Sequence, residues 1–124
     1  MILHIAKRAE WDAAQARREY APPSLSVEGF IHCSTPAQIL DTANRFFRGQ
    51  NDLAVLCIDP HRLAAPLRYE APAMAHDERP SERFPHLYGP LNLDAVTQVL
   101  DFPCEPDGTF RLPAPIAAAL RDPA

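Results

Sequence analysis

Fourteen prolines in 124 residues constrain this chain more than any other feature. Proline holds φ at about −65° and donates no backbone hydrogen bond, so it belongs in first helical turns, strand edges and loops. Here the prolines include Pro22-Pro23, Pro36, Pro60, Pro66, Pro85, Pro90, Pro103, Pro106, Pro113 and Pro115. They cut the chain into pieces of strand or short-helix length. The expectation is a set of short elements joined by stiff loops, not a helical bundle.

The pieces read as follows. Ile2–Ala6 is a short apolar strand, and residues 6–20 (AKRAEWDAAQARREY) suit a helix with Ala9, Ala13 and Ala16 near one face. Residues 21–29 (APPSLSVEG) form a loop long enough to cover something. Gly29 opens a strand over Phe30–Cys33. Ser34 or Thr35 then caps a helix with Pro36 in its first turn, and Ile39, Leu40, Ala43, Phe46 and Phe47 form its buried stripe. LAVLCID reads as a strand buried on both faces, and Asp59 caps a short turn over DPHRLA. LRYE alternates as a strand with one polar face. Residues 72–83 are polar and proline-bearing, a mobile loop. AVTQVLDF reads as a late strand, joined through an Asp107-Gly108 hairpin to TFRLP, and APIAAAL closes as a short helix. Helices fall early and strands late, which argues for a single small α+β domain over residues 1–124 and against a doubly wound sheet.

Composition sets the outer limits. Nearly half the residues are apolar (47%), enough for one hydrophobic core. A net charge of −4 gives no basic footprint and disfavours nucleic acid as a partner. Cys33, Cys57 and Cys104 are odd in number and widely spaced, so neither a disulfide framework nor a zinc knuckle is expected. No apolar run approaches the roughly 20 residues of a membrane span. The N-terminus reaches charge within seven residues and lacks a secretion signal. These features predict a reduced, soluble, cytoplasmic protein.

Three histidines lie in apolar runs: His4 in ILHIA, His32 in GFIHCSTP and His86 in FPHLYGPL. Alternation puts His32 on one strand face with Phe30 and Ser34, and the strand-to-helix junction at Ser34 offers free N–H groups to an anion. The alternative for His32 is a buried imidazole bonded to backbone. His86 and Tyr88 are two apart, so an extended backbone aims both one way. An imidazole serves as acid or base near neutral pH, and a tyrosine ring stacks on a base or nicotinamide. The alternative is a rigid turn packed on the core. Arg68 and Glu70 share one strand face, as a ligand-orienting pair or a solvated one. His61 and His76 read as exposed. Phosphate-loop, nucleophile-elbow and zinc-protease motifs are absent.

The segments EGFIHCST, ANRFFRG, DLAVLCID, LRYE, FPHLYGPL, LDAV and DGTFRLP, spanning residues 3–113, resemble a small bacterial family, domain of unknown function 952. That resemblance implies a fold related to the ADP-ribosyltransferases and the RNA 2′-phosphotransferases. By this likeness His4 matches the first-strand histidine that faces the NAD ribose and nicotinamide. His32 matches the second position, with Ser34 beside it. AVTQVLDF lacks an acid at the third position, which is closer to the phosphotransferase pattern. The implied function is binding of NAD or an ADP-ribose-like nucleotide, with NAD as a substrate and ADP-ribosyl or phosphoryl transfer as the reaction class. Taken together with the reading of the residues above, this makes His4, His32 and His86 the expected catalytic residues, and Ser34, Tyr88, Arg68 and Glu70 the expected substrate-binding ones. Two other readings stand beside it: a non-catalytic small-ligand or anion-binding domain, and a metal site of His4, His32 and His86. The family reading itself calls for no metal.

Overall fold

The computed structural model describes residues 1–72, 79 and 81–121. Most of the loop expected over 72–83, including His76, lies outside the described residues. The central sheet has three antiparallel strands in the order β1 (Ile2–Lys7), β4 (Leu53–Ile58) and β8 (Val96–Asp101). β1 pairs with β4 residue for residue, from Ile2 opposite Ile58 to Lys7 opposite Leu53. β4 lies in the middle and is buried along its whole length. That is why six consecutive apolar residues are needed there.

Each face of this sheet packs its own cluster. Ile2, Ala6, Leu56 and Ile58 point to Trp11 and Ala14 of α1 (Arg8–Arg17), and to Tyr20. Leu3, Ile5, Val55 and Cys57 point instead to Ile39 and Ala43 of α3 (Ile39–Phe46), and to Phe102, Phe110 and Ile116. His4 shares a face with Ile2 and Ala6, on the Tyr20 side. The face expected for α1 is displaced: Ala9, Ala13 and Ala16 are exposed, and Trp11 and Ala14 are buried. The large indole, not the run of alanines, sets the rotation of the helix, because burying it removes far more apolar surface from water.

A second sheet runs β3 (Ile31–His32), β6 (Phe84–Leu87), β5 (Leu67–Glu70), again antiparallel. FPHLYGPL therefore begins as the middle strand of a sheet and not as a turn. Pro85 is tolerated there because its carbonyl still accepts the Cys33 N–H at 3.0 Å, and β3 ends at His32, before the pair in which a Pro85 N–H would be needed. Leu3 and Ser34 exchange backbone hydrogen bonds of 2.8 Å each, which stitches the two sheets together next to His4. A two-stranded pair, β2 (Glu19–Tyr20) with β7 (Leu91–Asn92), completes the strands among the described residues. The APPSLSVEG segment contains a short helix, α2 (Pro23–Glu28), ended by Gly29 at φ 88°.

The expected hairpin strand TFRLP does not form. Gly108 N–H bonds Glu105 and Glu105 N–H bonds Thr109, closing a compact turn that Asp107 braces through Thr109. Pro103, Pro106 and Pro113 remove donors that a ladder would need. α4 (Ala114–Arg121) follows as expected and buries Ile116. Among the described residues no helix is long and apolar enough to cross a membrane. The architecture is α+β.

Candidate functional site

A cavity of about 330 Å³ opens where the two sheets meet. β1 contributes His4 to its wall, β3 contributes His32, β6 contributes Phe84 and His86, and the sheet junction contributes Ser34. From the helices come Pro22 and Pro23 at the start of α2, and Thr42, Phe46 and Phe47 from α3 and its end. Phe46 and Phe47, expected in the buried stripe of α3, are half-buried because they face this cavity. The expectation that APPSLSVEG covers something fits its place at the rim.

His4 is locked. Its Nδ1–H donates to the His32 carbonyl at 2.5 Å, so its Nε2 is an acceptor, and the Tyr20 hydroxyl donates to it at 2.9 Å. This fixes one neutral tautomer. Burial pushes the His4 pKa down from 6.5 to about 4, and pushes the Tyr20 phenol well above its ordinary value. While both bonds hold, His4 has no ring nitrogen to offer a ribose or a metal. It orients Tyr20 at the cavity wall instead.

The second sheet gathers the other predicted residues. His32, His86 and Arg68 lie directly opposite one another across β3, β6 and β5. His86 Nδ1–H donates to Glu70 Oε1 at 2.9 Å, and the Tyr88 hydroxyl donates to the same oxygen at 2.5 Å. These two donors hold the Glu70 carboxyl below its ordinary range, Tyr88 first. The Arg68 guanidinium lies 4.9 Å from the Tyr88 ring centre. Burial holds the His86 imidazole below its ordinary value, against the opposing pull of Glu70. Phe30 stacks on the His86 ring at 4.1 Å. His32 Nε2–H donates to Glu28 at 2.8 Å. Arg68, Glu70 and Tyr88 thus stand behind and beside His86, while His4, His32, Ser34 and His86 line the cavity.

The anion corner expected at Ser34 is built differently. Ser34 N–H is spent on Leu3, and Thr35 N–H is bonded by the Gln38 side chain at 3.0 Å. The helix begins only at Ile39, so no helix terminus points its N–H groups at Ser34. Sheet pairing claimed the backbone that the capping signal had assigned to a helix. The cavity's fixed cation is instead Arg79, whose side chain is 7% exposed. Its Nη1 donates to Thr42 Oγ1 at 3.0 Å, and its guanidinium lies 4.5 Å from the Phe84 ring centre. Arg79 sits in a polar stretch without periodicity, and nothing local marks it. Tyr20 and Glu28 were equally silent. His61 is exposed, as expected. Among the described residues, no group of three or more His, Cys, Asp or Glu is placed to hold a metal ion.

Comparison with known proteins adds the following. A family model described as Protein of unknown function (DUF952) matches residues 5–99. The crystal structure of CC0527 from Caulobacter crescentus, a structural-genomics target, matches at a TM-score of 0.81 with 38% identity, over 94% of this chain and 97% of that one. The solution NMR structure of CC0527 matches at 0.71 with 38% identity, over 87% and 89%. No curated protein matches the chain.

Proposed function

This chain belongs to the DUF952 family, and from that premise we propose that its inter-sheet cavity binds a nucleotide of the NAD or ADP-ribose kind, as a transferase of the ADP-ribosyl or phosphoryl class. One observation carries the reading: a buried guanidinium, Arg79, and a buried imidazole, His86, stand on one cavity wall with Phe84 between them. Phe84 and His86 are two apart on β6, so they share a face. An arginine in low dielectric is a strong partner for phosphate. Phe47 on the same lining offers an aromatic ring to a base or nicotinamide. The ionised groups on the lining are Lys7, Arg79 and Glu10, and the Asp41 carboxylate lies 3.4 Å from the Arg79 Nη1. The volume falls at the small end of ligand pockets, roughly 300–1,000 Å³, so the cavity would hold one nucleoside half and leave the rest at the rim.

In this reading His86 supplies the base. Its Nδ1–H is held by Glu70, which leaves Nε2 as the basic nitrogen. His4 then acts through Tyr20. Binding without turnover is the second reading. The two protein bonds of His4 favour it, since they occupy the nitrogens that a ribose would need. A thermal-shift screen of NAD, ADP-ribose, nicotinamide and a 2′-phosphorylated nucleotide tests the site, on wild type, His32→Ala and Arg79→Gln. Ligand at 100 times Kd stabilises by about 2.7 kcal/mol. A rise in Tm with NAD or ADP-ribose that shrinks in both variants supports the site. No rise with any of the four refutes it. Product formation from NAD separates the two readings.

A further inference from the structure

The cavity wall carries two imidazoles, each tethered to its own carboxylate. His32 and His86 face each other in register on β3 and β6, so both rings leave the sheet on one side. Their ring centres are 5.8 Å apart. His32 gives its Nε2–H to Glu28, and His86 gives its Nδ1–H to Glu70. Each ring keeps one nitrogen that makes no hydrogen bond among the described residues: Nδ1 of His32 and Nε2 of His86.

Two tethered imidazoles on one cavity exceed what transfer from NAD requires. Nicotinamide departs as a neutral amine and takes no proton, so one base is enough. Cleavage of a phosphate ester has the other demand. Its attacking water must lose a proton and its sugar alkoxide must gain one. The size of the cavity, about 330 Å³, narrows the ester to one nucleotide, and the net charge of −4 disfavours a polyanion. A phosphodiester contained within a single nucleotide is a cyclic one.

We propose that His86 and His32 are the general base and general acid for hydrolysis of a nucleoside cyclic phosphodiester bound in this cavity. The inference rests on the nucleotide reading above, with the phosphate at Arg79. His86 Nε2 takes a proton from water as the water oxygen attacks phosphorus. The bond from phosphorus to one sugar oxygen breaks, and that oxygen takes the proton of His32 Nδ1–H. One water is consumed and a nucleoside monophosphate forms. His86 ends protonated and His32 neutral, and exchange of one proton each with solvent restores both. The roles follow from surroundings. His86 is 3% exposed and kept neutral by burial. The His32 side chain is 40% exposed and bonded to Glu28, so it can exchange a proton with solvent. The groups facing His86 are Glu70 and Arg68 from β5, His32 from β3, Glu28 from α2 and Tyr88 beyond its own strand. Those facing His32 are Glu28, His86 and His4.

The test follows adenosine 2′,3′-cyclic and 3′,5′-cyclic phosphate by phosphorus NMR with wild type, His32→Gln and His86→Gln, with ADP-ribose binding measured by calorimetry in parallel. Opening of one cyclic phosphate is expected, with a bell-shaped pH profile. Each variant lowers kcat by about 100-fold or more. Should His86→Gln not fold, the half-exposed His32 position carries the test. ADP-ribose binding without opening of either cyclic phosphate overturns this inference and leaves the nucleotide site standing. Opening at the wild-type rate in a folded variant overturns it as well. Neither binding nor opening overturns both.

Discussion

Acidification should destabilise this protein through His4 well before its carboxylates titrate. The His4 pKa is about 4 in the fold, against 6.5 for a free histidine. The unfolded chain therefore binds a proton that the folded chain excludes. Stability falls as pH drops below 6.5 and levels off below about 4. The full difference amounts to about 3 kcal/mol, of which about 2 kcal/mol is lost by pH 5. Glu70 and Asp107, both held below their ordinary ranges, give stability that is lost only on further acidification below about 4.5 and 3.8. The window from pH 7 to 5 isolates histidine. His86 contributes there with the same sign, so the comparison needs a variant at His4 alone. In His4→Asn the amide replaces Nδ1–H toward the His32 carbonyl, and the titration disappears. Tyr20 loses its acceptor, at a cost of about 1–3 kcal/mol at every pH. Urea unfolding at half-unit steps of pH should show wild type losing about 2 kcal/mol more than His4→Asn between pH 7 and 5. Parallel curves for the two proteins would refute the buried neutral His4.

Tyr88→Phe removes the first of two donors to Glu70. The Glu70 carboxyl should titrate closer to the ordinary glutamate range in a carbon-13 NMR titration, and an unmoved titration would deny the shared acceptor. Gly89→Ala places a Cβ 2.7 Å from the Ala65 Cβ, an overpacking that should cost about 1–3 kcal/mol in urea unfolding; an undiminished midpoint would contradict the close approach. Native protein should expose one fast-reacting thiol of three to Ellman's reagent. Cys33 and Cys57 are buried, and burial pushes Cys33 up to about 12 and Cys57 upward, whereas Cys104 is partly exposed. Two or more fast thiols would contradict the packing.

Local pattern was legible where one element decides the outcome. Leu53–Ile58 announced a doubly buried strand by its unbroken apolar run, and Asp59 announced its cap of the turn at Pro60–Arg62. Period-two spacing paired Arg68 with Glu70 and His86 with Tyr88, and both pairs meet at the Glu70 carboxylate. What spacing lacks is neighbourhood. That β6 lies between β3 and β5, and so brings His32 across from His86, depends on contacts more than 50 residues apart in sequence. Ser34 carried a convincing capping signal, yet its backbone pairs with Leu3, because closing the two sheets satisfies both residues' N–H and C=O groups at once. Arg79 was illegible for a similar reason: Asp41, Thr42 and Phe46, all more than 30 residues away in sequence, help turn a polar loop residue into a buried cation.

The central claim is that ligand enters between β1, β3 and β6. The most direct measurement is a nitrogen-15 NMR titration with ADP-ribose. Amides of Leu3–Ile5, His32–Ser34, Phe84, His86 and Leu87 should shift together and saturate, while those around Phe102, Phe110 and Ile116 in the opposite cluster stay in place. Shifts confined to the opposite cluster, or none at saturating ligand, would contradict the account.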